Sequence, residues 1–135
     1  MEKFFKQSVK EALNFYVYAL VDPRDKKIFY VGKGSRDRVF QHAEDSLNDN
    51  DESLKLSTIR DIHSANLEVE YYIIRHNLSE HEAYLVESTI IDLLTYEAFN
   101  RENILTNVVK GHHQWNEGIK TEEEINILYD CKKIE

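Results

Sequence analysis

The stretch FYVYALVDPRDKKIFYVGKGSRDRVFQH, residues 15–42, decides how this chain is read. Two runs rich in aromatic and β-branched residues, Phe15–Val21 and Ile28–Val31, flank Asp22-Pro23-Arg24-Asp25. Strand formers on both sides of a turn-prone tetrapeptide predict a tight β-hairpin. The Gly32-Lys33-Gly34-Ser35 string predicts the end of the second strand, with Ser35 capping a helix that runs to Leu47. In that helix Phe40, Ala43 and Leu47 fall at helical spacing, and Arg38 and His42 are neighbours at i, i+4. Two tyrosines, Tyr18 and Tyr30, share one face only if their pairing sum is even. That takes an odd-numbered loop or a bulge near Pro23–Lys27; otherwise sheet twist must bring the two together.

Outward from the hairpin, residues 2–13 carry Phe4, Phe5, Val9 and Leu13 near helical spacing, which predicts a short packing helix. Residues 54–65 predict a second amphipathic helix with Leu56, Ile59 and Ile62 inward. Leu67–Ile74 predicts a third strand packed on both faces. Ser79-Glu80-His81-Glu82 is a capping-box start for a helix to about Leu94, with an apolar stripe of Ala83, Val86, Ile90, Leu93 and Leu94. Glu87 sits in or beside that stripe. A buried ionised carboxylate is costly by several kcal/mol, of the order of the whole stability margin, and calls for a metal ion or an arginine. A Gly111-His112-His113 turn and a last capped helix near Thr121–Tyr129 complete the chain.

The 135 residues fit one domain large enough to bury a core. No apolar run is long enough to span a membrane, and the first residues lack a secretory layout. One cysteine, Cys131, makes no internal disulfide and no paired-thiol metal site, so an intracellular, cytoplasmic protein is expected. The net charge of −8 opposes a polyanionic partner at long range. The distribution answers this in part: residues 24–38 hold six Lys/Arg against two Asp, while acid gathers at 44–52 and 122–124. The resulting expectation is weak, salt-sensitive nucleic-acid binding, with a partner protein free to add affinity. A calcium loop at Asp49 and Asp51 is excluded by the missing turn glycine and closing Glu. A phosphate loop is excluded because Lys27 stands in place of its first Gly.

Tyr16-Val17-Tyr18 and Tyr30-Val31-Gly32, followed by Arg38, Glu87 and Asn107, resemble the GIY-YIG nuclease family over roughly residues 15–112. The variant FYVGKG with Arg-x-x-x-His is most similar to the branch of ankyrin/LEM-domain-associated nucleases and small bacterial relatives. Tyr16 departs from the pattern, since the family name has Gly there. The resemblance implies an α/β (α+β) fold with a small, mainly antiparallel three-stranded sheet flanked by helices. It further implies an endonuclease that hydrolyses DNA phosphodiester bonds using one Mg²⁺ or Mn²⁺ ion on Glu87. Tyr18 would deprotonate water, Tyr30 orient the site and Arg38 clamp the scissile phosphate. Asn107 would bond phosphate or hold the site together, with Gly32, Gly34 and Arg36 in the substrate-binding stretch. A phenol with a pKa of about 10 is a poor base at neutral pH, so Lys33 or His42 is expected to help. Little chain lies beyond that core, so recognition of branched, flapped or nicked DNA, or targeting by a partner, is expected. The rival readings are a non-cleaving nucleic-acid-binding module and a protein-interaction domain.

Overall fold

The computed structural model describes residues 3–45, 53–102, 104–107 and 117–133, except the side chains of 42–45 and 131–133. In chain order the elements are α1 (Gln7–Leu13), β1 (Phe15–Asp22), β2 (Lys27–Ser35), α2 (Arg38–Asp45), α3 (Leu54–Ser64), β3 (Glu70–Leu78), α4 (Glu80–Thr95) and α5 (Glu122–Lys133). The strands form one antiparallel sheet in the order β2-β1-β3, so the α+β class implied by the resemblance is what the chain adopts.

The central strand β1 is buried on both faces, and its alternation sorts the core into two clusters. Tyr16, Tyr18 and Leu20 pack under Val39 of α2 and Leu56, Ile59 and Ile62 of α3. Val17 and Val31 pack under Ala83 and Ile91 of α4. Ser53 caps α3 by accepting from the Leu56 amide. Ser79 and Glu82 form the expected capping box of α4, and Thr121 and Glu124 exchange the same pair of bonds at α5.

The parity problem is solved by a bulge. From the turn, Asp22 pairs with Lys27 and Val21 with Ile28; one step on, Leu20 pairs with Tyr30 and Tyr18 with Gly32. Phe29 is the extra residue. Without it, the turn's register would set Tyr18 opposite Val31 and send Tyr30 to the other face. The turn itself is closed by the Lys26 amide donating to the Asp22 carbonyl, with Lys26 in the left-handed region.

Four expectations are corrected. The Gly-Lys-Gly-Ser string is strand, because the first half of β1 needs hydrogen-bond partners and finds them in residues 32–35. Ser35 is therefore not a helix cap; Arg36 turns the chain at φ 52° and α2 begins at Arg38. β3 is an edge strand whose Tyr72 and Ile74 are exposed, since α4 lies over β2 and β1 more than over β3. Leu93 is exposed too, and Ile91 takes the buried place in α4. Leu47, the tract before Ser53 and the Gly111–His113 turn lie outside the described residues.

Candidate active site

Gly32 is the floor of the site. A Cβ there would lie 2.7 Å from the Tyr18 hydroxyl oxygen, 2.8 Å from its Cζ and 2.9 Å from Tyr30 Cε2. Only a residue without a side chain lets the two phenols meet across the hairpin, with ring centroids 6.2 Å apart. Gly34 does the same for the cation: its missing Cβ leaves room for Cβ and Cγ of Arg38, each 2.6 Å from that position. Both glycines thus shape the site by absence.

Arg38 reaches this floor because α2 is tied to β1. The buried Tyr16 hydroxyl donates to the Arg36 carbonyl at 2.7 Å and accepts from the Val39 amide at 3.1 Å. Two bonds from one phenol hold both sides of the strand-to-helix turn, so the residue that departs from the family motif braces the arginine. Glu87 approaches from α4, buried at 9% exposure. Its Oε1 is shielded from solvent and makes no hydrogen bond among the described residues.

The electrostatics register the convergence. Burial holds the Tyr18 hydroxyl protonated well above its ordinary value, helped by Tyr30 and Glu87 and opposed by Arg38. Burial also raises Tyr30, with the Glu87 charge adding to the rise and Arg38 and a hydrogen bond with Tyr18 opposing it. One carboxylate and one guanidinium therefore act on the same two phenols. Of the sequence candidates, Tyr18, Tyr30, Arg38, Glu87, Gly32 and Gly34 are brought together.

Others stand apart. Lys33 pairs with Val17 and leaves β2 on the opposite face, so the cation bearing on both phenols is Arg38. Arg36 is exposed at the turn. His42 lies in α2, its side chain outside the described residues. Asn107 braces the sheet edge: its Oδ1 accepts from the Val31 amide at 3.1 Å and its Nδ2 donates to the Val31 carbonyl at 2.7 Å. Thr106 next to it bonds the Phe29 carbonyl through both its amide and its hydroxyl. Together these residues cover the edge of β2 that holds Tyr30.

Sequence reasoning missed Lys55, whose Nζ lies 4.6 Å from the centre of the Tyr30 ring. Nothing in the sequence says where α3 docks, so no signal pointed to it. Tyr16 was legible in part, since it shares the face of Tyr18 two residues on.

A metal ion bound here would find one buried carboxylate and no group of three His, Cys, Asp or Glu among the described residues. That donor set fits a hard divalent cation that keeps water and substrate oxygens in most of its coordination sphere, as Mg²⁺ does.

A three-stranded antiparallel sheet with flanking helices is consistent with the α+β fold of a GIY-YIG domain. The family model described as the LEM-3-like GIY-YIG domain matches residues 15–134, and the chain belongs to that family of nuclease domains. A Caenorhabditis elegans protein, the ankyrin repeat and LEM domain-containing protein 1 homolog, is 30% identical over 100 residues, covering 58% of this chain. The match spans 14% of that relative's length. No solved structure matches significantly. No helix among the described residues is long and apolar enough to cross a membrane.

Proposed function

We propose that the chain is a metal-dependent endonuclease that hydrolyses DNA phosphodiester bonds, directed by DNA structure (a branch, flap or nick) or by a targeting protein. The observation that carries this reading is the shared electrostatic environment of Tyr18 and Tyr30, biased in opposite senses by Glu87 and Arg38 over a glycine floor.

In this reading the scissile phosphate sits against the Arg38 guanidinium, whose planar N–H groups stabilise the charge that grows on the phosphoryl oxygens. Tyr18 would take the proton of the attacking water only as its phenolate, after its own proton has passed to solvent. Burial opposes that form, the Arg38 guanidinium favours it, and a cation held by Glu87 would favour it further, while Tyr30, hydrogen-bonded to Tyr18, sets its orientation. Glu87 holds one Mg²⁺ or Mn²⁺, which when bound supplies Lewis-acid stabilisation to the phosphate and the leaving oxygen. Gly32 lets the two phenols meet, Gly34 seats Arg38, and Asn107 locks the strand beneath Tyr30. His42, one turn along α2 from Arg38, is the candidate for a contact to the substrate or its proton, while Lys33, on the opposite face, would meet only backbone flanking the cleaved position.

The test is cleavage of branched, nicked and linear DNA with and without Mg²⁺ or Mn²⁺, beside Glu87→Gln. Metal-dependent products are expected, reduced in the variant by about 10²–10³-fold, as for loss of one transition-state stabiliser. Binding without product at any protein concentration replaces the enzyme with a non-cleaving nucleic-acid module. Neither binding nor product leaves a protein-interaction domain.

A further inference from the structure

Where β2 turns into α2, a cleft of about 470 Å³ opens between that turn and α1. Its walls carry Lys10, Lys33, Arg36 and Arg38 against a single carboxylate, Asp37. In a chain of net charge −8, four cations to one anion is a sharp local reversal. The one anion is also consumed structurally. Asp37 Oδ1 accepts from the Phe5 amide at 2.7 Å, and Oδ2 faces Lys10 Nζ at 2.9 Å. That clamp docks the segment before β1 onto the turn. It engages one donor of an ammonium that has three.

Arg36 is the second distinctive member. It sits at φ 52°, which a non-glycine residue seldom adopts, and its carbonyl is held inward by Tyr16. The side chain is thereby left exposed at the mouth of the cleft. Arg38, exposed like Arg36 and lining the same cleft, is also the cation that bears on the two phenols. The cleft therefore shares Arg38 and Gly34 with the candidate active site.

We propose that this cleft is a track for the sugar–phosphate backbone flanking the cleaved position, with Lys10 of α1 and Arg36 of the turn contacting phosphates beyond the one at Arg38. Lys10 lies outside the residues matched by the family model, so this wall of the track is an addition made by the chain's own first helix. The track contributes position and affinity but reads no bases. It rests on the nuclease reading in that Arg38 marks the scissile phosphate.

The test is fluorescence anisotropy of a labelled nicked DNA duplex with the full chain in EDTA, titrated over NaCl from about 50 to 200 mM. Each phosphate that a variant no longer neutralises lowers the slope of log K against log salt by about 0.9. Lys10→Gln and Arg36→Asn are each expected to remove about that much, and the pair about 1.8. Asn is chosen at Arg36 because it tolerates the left-handed backbone. Lys10→Arg, which keeps the charge and the Asp37 clamp, should retain the unmodified slope, separating charge from docking of α1. Arg101→Gln, at the opposite end of β2, should leave the slope unchanged. Binding with an unaltered slope in the Lys10 and Arg36 variants, or an equal fall in Arg101→Gln, overturns the track and leaves the nuclease reading standing. No binding by the unmodified chain overturns both.

Discussion

The two faces of the sheet are built from the same strands and differ in one chemical respect. Val17, Val31, Ala83 and Ile91 meet on one face as hydrocarbon alone. On the other, Tyr16, Tyr18 and Tyr30 bring aromatic bodies into the core and keep hydroxyls at their tips. The core of the first face excludes water and offers no polar group. The second excludes water equally well, and in doing so raises the protonation of its phenols and makes Arg38 and Glu87 felt at close range. Burial alone does not make a site; burial of groups with polar ends does. Tyr16 adds a further distinction, because its hydroxyl serves architecture while that of Tyr18, two residues on, faces the reactive cluster.

The contrast breaks most visibly on the hydrocarbon side. Ile91→Ala should lower stability by about 2–5 kcal/mol, through reduced burial and a residual cavity. Cleavage per folded molecule should be unchanged below the melting transition, as read by calorimetry beside a cleavage assay. The polar face should respond in the opposite proportion. Gly32→Ala must push apart Tyr18 and Tyr30, for which about 1–3 kcal/mol of overpacking is expected. Cleavage should vanish well before folding does, and retained activity would show that the pair need not touch. Tyr16→Phe keeps the ring and deletes two hydrogen bonds, at about 1 kcal/mol each. DNA cleavage should fall through a looser Arg38, with weaker substrate binding, while the core stays packed by near-UV circular dichroism.

The smallest effect is on alkaline stability. Tyr16, Tyr18 and Tyr30 are all raised above 10.0, chiefly by burial. Below that pH both folded and unfolded phenols are protonated and stability is whole. Above it the unfolded chain loses its protons first, so stability falls as pH rises past about 10. Tyr16→Phe should make that fall shallower in urea titrations at successive pH values.

The elements were largely legible because they are encoded locally. Alternation of Phe15–Val21, the Asp-Pro turn, the Ser79–Glu82 box and the helical spacing of Leu56, Ile59 and Ile62 each lie within a few residues of one another. So do Tyr16-Val17-Tyr18 and Tyr30-Val31-Gly32, whose spacing pointed to the family. Where local signals competed with a partner, they failed. Glycines and Ser35 suggest a loop, but β1 has amides and carbonyls to satisfy and draws residues 32–35 into the sheet. Leu93 matches the helical stripe of α4, but it is Ile91 that packs against the sheet, and Leu93 stays exposed.

What the sequence determined by itself was the class, the strand pair and the identity of the chemical groups. Only the tertiary structure decided that Phe29 is the extra residue of a bulge, so that both phenols share a face. The same holds for Lys55 beside Tyr30, for Asn107 bracing Val31 and for Lys10 joining the arginines at the turn. The reason is physical: a strand's period or a helix's cap depends on neighbours along the chain. Register, docking and charge clustering depend on which distant surfaces exclude water together.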